Sequence, residues 1–289
     1  MDLQILKDTP SWEWPRGVGL EFLTILEDPK ATKSDRLLAA ELAGDFTVID
    51  DPLAEVLLAI LANSAEPEAL RGRAAISLGP ALEQADIDEF DDPESVPISE
   101  ATFHRIKETL RRVYVDNAVP KFVRRSILEA AVRAPEEWHT AAIRAAWSSG
   151  DAEWKLTAAF CMTHVRGFDQ EILEALDSAD PLARHHAVVA AGNWEVEGAW
   201  DRVSRLALEP RTEKYLRLAA IEALAYVRPR EARTFLLDLI DDDDEDIAEA
   251  ASEATSTAEN LLNAGFDDED EDYGEFDDDE DDEEDETIH

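Results

Sequence analysis

The feature that most constrains this chain is a short arrangement that keeps returning: a basic residue, then small or aliphatic residues three, six and seven positions later. Arg184 is followed in this way by Ala187, Ala190 and Ala191. The same frame fits Arg36 (Ala39, Leu42, Ala43), Arg71 (Ala74, Ser77, Leu78), Arg124 (Ile127, Ala130, Ala131), Lys155 (Ala158, Cys161, Met162) and Arg217 (Ala220, Ala223, Leu224), and more weakly Ala248 (Ala251, Ala254). Successive anchors lie 35, 53, 31, 29, 33 and 31 residues apart. A supersecondary unit repeated at a fixed period of this size predicts a stack in which each copy buries its apolar side on the next.

Between the anchors lie second helical patterns, at 52–64, 136–147, 168–178 and 229–241. Their apolar residues recur at three- and four-residue steps, as in Val56, Leu57, Ile60 and Leu61, which places them on one helix face. Each unit is therefore expected to be a helical hairpin, and the fold class all-α: an α-solenoid of about seven hairpins over residues 1–265. An acid stands four before the anchor at Asp151, Asp180, Glu213 and Asp244, and Pro181 follows Asp180. Aspartate as N-cap with proline in the first turn is a helix start. The acid is also expected to pair with a basic residue across to the next repeat.

The 53-residue interval contains about 20 extra residues, roughly 83–99, acidic and carrying two prolines. Insertions in such arrays emerge as loops on one face, so a solvated acidic loop is expected here. Residues 266–289 hold 17 acids in 24 positions. Self-repulsion with so little apolar content predicts a disordered tail.

The whole chain carries 68 acidic and 27 basic side chains, a net charge of −41. From Asp241 onward there are 26 acids and no base, so about two thirds of the imbalance belongs to the last 49 residues. No segment offers the clustered positive surface that phosphate neutralisation needs, which argues against a nucleic-acid partner. No run approaches the roughly 18 apolar residues of a membrane span, and the N-terminus lacks a basic segment followed by an apolar one. A cytoplasmic chain with no membrane partner is expected. Only seven of the basic residues are lysine, so a salt-adapted protein whose tail serves solubility alone is a rival reading of the charge.

The D-x-x-x-R-x-x-A-x-x-A spacing in DPLARHHAVVAAG and EKYLRLAAIEALA resembles the HEAT repeats, of the armadillo-like helical class, and among them the short repeats of phycobilisome lyases and many scaffold proteins. The resemblance covers about residues 15–263. It implies a protein-binding scaffold far more often than an enzyme. Its enzymatic alternative is a lyase-like or chaperone-like factor for a chromophore-bearing protein, with a pocket built from Trp147, Trp154 and Trp194. Deoxyhypusine hydroxylase also resembles this chain in its helical repeats, but that family binds iron through His-Glu dipeptides, and none of the six histidines here precedes a glutamate.

His185 and His186 are adjacent, so their side chains leave the helix about 100° apart and cannot share a metal; a packing or partner-contact role is expected. Cys161, the only cysteine, occupies the small-residue slot six after its anchor and is expected in the core, with His164 on the same helix face. Trp138, Trp147, Trp154, Trp194 and Trp200 crowd the middle units, while Trp12 and Trp14 precede the first helix and are placed to cap the open end. No phosphate loop, catalytic triad order, calcium loop or cofactor motif is present. The expectation is a non-enzymatic scaffold without catalytic residues, metal or cofactor. Its protein partner, of basic character, would be met by Arg125, Trp147, Trp154, His185, His186, Trp194 and Glu222, with the acidic tail steering the encounter.

Overall fold

A computed structural model describes residues 2–88, 90 and 96–267. Every regular element among them is helical. In chain order these are α1 (Leu3–Lys7), α2 (Val18–Glu27), α3 (Lys33–Leu42), α4 (Asp51–Ala62), α5 (Glu68–Ser77), α6 (Gly79–Asp88), α7 (Glu100–Tyr114) and α8 (Lys121–Ala131). There follow α9 (Glu137–Ser148), α10 (Ala152–Cys161), α11 (Asp169–Leu176), α12 (Pro181–Asn193), α13 (Trp200–Leu208), α14 (Lys214–Val227), α15 (Pro229–Phe235) and α16 (Glu245–Asp267). Short 3₁₀ turns precede α2 and α13 and follow α15.

Helix starts follow the side chains. Thr32, Asp50, Ser99, Asp151 and Asp180 each accept a hydrogen bond from a first-turn amide, satisfying donors that have no partner inside the helix. Pro52, Pro181 and Pro229 stand in first turns, where their missing N–H costs nothing.

Seven hairpins result, and the fold is an α-solenoid. The chain divides into two compact units, Met1–Trp194 and Glu195–His289. The first contains α2/α3, α4/α5, α7/α8, α9/α10 and α11/α12; the second contains α13/α14 and α15/α16. The second helices stack in sequence, α3 on α5, α5 on α8, α8 on α10 and α10 on α12 in the first unit, and α14 on α16 in the second. The residues three after each anchor (Ala39, Ala74, Ile127, Ala158, Ala187, Ala220, Ala251) are all buried, as are those six after it. Short side chains at these positions let neighbouring helices approach, while Leu53, Leu57, Leu61, Leu110 and Ile143 from the first helices fill the layer between.

Close approach of a neighbouring helix leaves no room for a side chain at two glycines. A Cβ on Gly44 would lie 2.6 Å from the Cβ and carbonyl oxygen of Ser77, and one on Gly72 would lie 2.4 Å from the ring of Phe122.

Residues 83–99 are not one loop. Glu83–Asp88 belong to α6, because Ala81, Leu82 and Ala85 give that segment an apolar face buried beside α8. Val96 and Ile98 are buried too, and Ser99 caps α7; Glu89 and residues 91–95 of the expected loop lie outside the described residues. α16 runs to Asp267, past the expected end of the solenoid at 265, and the remaining acidic tail from 268 lies outside the described residues.

Candidate partner-binding face

The anchor arginines are bound by backbone. Arg71 Nε donates to the Leu61 carbonyl (2.9 Å), Arg124 Nε to Tyr114 (2.9 Å), Arg217 Nε to Ala207 (2.8 Å) and Arg36 Nη2 to Leu26 (3.2 Å), in every case ten residues back. These carbonyls end the first helix of the hairpin, where the last turn has no internal donors and the helix dipole is negative. Each arginine thus fastens the second helix to the end of the first. Arg184 bonds instead the Ser178 carbonyl (3.0 Å), six residues back in the turn after α11, and Lys155 stacks on Trp147 at 5.3 Å.

At Asp151 and Asp244 the acid four before the anchor pairs across repeats, as expected, with a lysine rather than with an anchor. Lys121 Nζ reaches Asp151 at 3.0 Å and also pairs with Glu153; Lys214 Nζ reaches Asp244 at 2.7 Å and Asp246 at 2.5 Å. Both lysines sit three before an anchor, and their carboxylates open the next second helix. Hydrogen bonds donated to Glu153 and Asp151 hold the Lys121 ammonium above its ordinary range, and those donated to Asp244 and Asp246 do so for Lys214. The anchors Arg36 and Arg217 also reach carboxylates, Glu66 (2.8 Å) and Asp242 (2.7 Å).

On the second helices of the first unit the positions five and nine after each anchor are half-buried or exposed, as are most of those one and two after it, Gly72, Ser126 and Thr157 being buried. Three of the expected contact residues fall here. Arg125 donates through Nε to the Thr157 hydroxyl (2.9 Å), and its guanidinium meets Glu153 at 3.3 Å; Thr157 in turn donates to Glu129 (2.6 Å). His186 packs edge-on against Phe160 at 5.4 Å, His164 lies against the same ring at 5.1 Å, and His185 is beside His186 at 5.7 Å. Burial and then His185 depress the His186 pKa to about 4, and burial lowers His164 and His185 as well. Arg133, above Phe160 at 5.8 Å, is ion-paired with Glu83.

The tryptophans do not converge. Trp154 and Tyr114 flank the Arg124 guanidinium, 5.8 and 5.1 Å from it, beside a depression of about 180 Å³. Neither Trp147 nor Trp194 lines that depression. Trp147 donates to Glu174 at 3.3 Å, and Trp194 donates to the Met162 carbonyl at 2.6 Å, closing the end of α12. Trp14 caps the N-terminal end, donating to the carbonyls of Leu6 and Thr9 and meeting Phe22 edge-on at 5.9 Å. Trp12 does not, being 80% exposed. Glu222, in the second unit, is exposed on α14. Cys161 is fully buried, and burial with the nearby Glu129 raises its thiol well above the ordinary range.

Residues singled out by none of the sequence patterns complete the face. Phe122 and Leu182, each two before an anchor, are 44% and 52% exposed. Leu156, one after its anchor, and Phe160 and Val189, five after theirs, are half-buried. The register shared by Phe122 and Leu182 was visible in the repeat; their exposure was not, because the same slot holds Glu153 in between. Among the described residues no group of three or more histidine, cysteine, aspartate or glutamate side chains is placed to hold a metal ion, and no helix is long and apolar enough to cross a membrane.

A stack of helical hairpins with an exposed row of second helices defines a helical repeat protein. Residues 170–256 match the family model of HEAT repeats. Among solved structures, the chain is similar to human deoxyhypusine hydroxylase in complex with glycerol (TM-score 0.39, 16% identity, 86% of each chain covered). It is also similar to an engineered protein (TM-score 0.44, 17% identity, 72% of this chain and 96% of that one). No curated protein matches.

Proposed function

We propose that this protein is a non-enzymatic scaffold that binds a protein partner across the second-helix face of its first unit. The observation that carries this reading is the pair Phe122 and Leu182. Large apolar side chains at one register position are left open to solvent, while the anchors beside them are engaged by backbone. Half-buried Leu156, Phe160 and Val189 extend the apolar row, and Arg125, Glu129, His185 and His186 border it. An apolar centre with a polar border is the composition of protein-binding patches. Repeat proteins supply such extended surfaces rather than closed pockets. The acids of residues 266–289 would add long-range attraction for a basic partner, strongest at low ionic strength.

The test is affinity capture with the wild-type chain and with Phe122→Ser/Leu182→Ser. Loss of the same captured protein from the double variant, with unchanged helicity and melting temperature, is expected. Equal capture by both would reject the assignment of this face.

A further inference from the structure

The third and sixth hairpins of the chain coincide at an offset of 93 residues. Arg124 and Arg217 bind the carbonyls of Tyr114 and Ala207, themselves 93 apart. Lys121 pairs with Asp151 and Glu153, and Lys214 with Asp244 and Asp246. The correspondence holds at Glu129 and Glu222, but among the side chains that bond between α8 and α10 it fails at Arg125, which becomes Leu218, and at Thr157, which becomes Ala250.

Those two substitutions change what lies between the stacked helices. Between α8 and α10 the Arg125 guanidinium fills the space, held by Thr157 and Glu153, and Thr157 satisfies Glu129. Between α14 and α16 there is a groove of about 190 Å³, lined by Leu218, Glu222, Ala225, Tyr226, Ala250, Glu253, Ala254 and Thr257. Its floor is aliphatic. Its rim carries the carboxylates Glu222 and Glu253, both exposed and neither with an ion-pair partner among the described residues. Of the bases nearest Glu222 in sequence, Arg217 is paired with Asp242 and Arg228 lies over the Trp200 ring at 6.0 Å.

We infer that the α14/α16 groove takes an arginine side chain from a peptide segment of the protein partner, alongside Leu218 and Ala250, the counterparts of the Arg125 and Thr157 that meet between α8 and α10. The alanines accept the aliphatic stem, Tyr226 flanks it, and Glu222 and Glu253 hold the planar guanidinium through charge-assisted hydrogen bonds. This rests on the scaffold reading and adds the chemistry of one contact to it.

The test is fluorescence titration of the full-length protein with a labelled twelve-residue peptide carrying three arginines, beside the same peptide with citrulline at those positions. Glu222→Gln/Glu253→Gln is expected to weaken binding of the arginine peptide about tenfold at ~0.15 M salt, the sum of two partly screened charge contacts. Glu21→Gln/Glu27→Gln, which removes the same charge from α2, is expected to change it less than about twofold. Leu218→Arg/Ala250→Thr rebuilds the α8/α10 arrangement inside the groove and is expected to abolish binding without loss of thermal stability. The inference is overturned if the arginine peptide does not bind, if citrulline binds equally well, if both carboxylate pairs matter equally, or if Leu218→Arg/Ala250→Thr still binds. Because Phe122 and Leu182 are absent from this groove, capture that still depends on them would leave the scaffold reading standing when the groove assignment falls.

Discussion

Arg124 Nε donates to the carbonyl oxygen of Tyr114 at 2.9 Å, and the guanidinium lies between the rings of Tyr114 and Trp154. One side chain thereby joins the end of a first helix to the start of its own second helix and to the next hairpin. The bond recurs at the same ten-residue separation in Arg36, Arg71 and Arg217, so it is a property of the repeat.

Replacing Arg124 by alanine removes a charge-assisted hydrogen bond to a helix end and two cation–π contacts. A loss of about 2 kcal/mol is expected in urea unfolding. Arg124→Lys should recover less than half of it, since an ammonium cannot bond the carbonyl and stack on two rings at once. A loss below about 0.5 kcal/mol for the alanine variant would contradict this role.

Two glycine substitutions should differ in size. The Cβ of Gly44→Ala meets the backbone of Ser77, which cannot turn aside, and should cost about 2–3 kcal/mol. The Cβ of Gly72→Ala meets the outer edge of the Phe122 ring, a 44% exposed side chain rather than backbone, while alanine gains about 1 kcal/mol of helix propensity. Its net effect should stay below about 1 kcal/mol. Thermal melts of the two variants side by side decide the order.

Stability should fall on acidification through His139. The ring is fully buried beside Trp138, its Nδ1 accepts from the Glu136 amide at 2.9 Å, and Nε2 has no hydrogen-bond partner. Burial lowers its pKa from 6.5 to about 4, with Glu136 opposing and Lys107 adding to the shift. The neutral ring is thus the folded form, and the unfolded chain takes up a proton first. The contribution is complete above pH ~6.5 and is lost as pH falls toward ~4, up to about 3 kcal/mol. Unfolding free energies of the wild type and His139→Gln should therefore converge over that interval. An imidazole resonance of His139 titrating near pH 6.5 in the folded protein would refute it.

Cys161 should be inert in the native state. Its side chain is fully buried and its thiol held well above the ordinary range, so little thiolate forms and a reagent has no access. A colourless thiol assay in buffer, with one equivalent released in 6 M guanidinium, is the expected result; rapid native labelling would show that α10 opens.

The sequence by itself determined the helical hairpin, its period and the small residues at the stacking surface, because those depend on the spacing of side-chain types along one helix. Ala187, Ala190 and Ala191 had to be buried once the helix was drawn. Aspartates 151 and 180 were readable as caps for the same local reason. The tertiary structure alone decided what lies beyond a helix's own length. The anchor arginines bind carbonyls, which every residue carries and no residue type advertises. Lys121 and Lys214, rather than the anchors, neutralise the cap acids of the next repeat. The extra segment becomes α6 because its few apolar residues find α8 to lie on. Which face Phe122 and Leu182 present, and whether an arginine fills the space between two second helices as Arg125 does or leaves it open as beside Leu218, follows from the neighbour across the gap; that neighbour sits about 30 residues away in sequence and adjacent only in space.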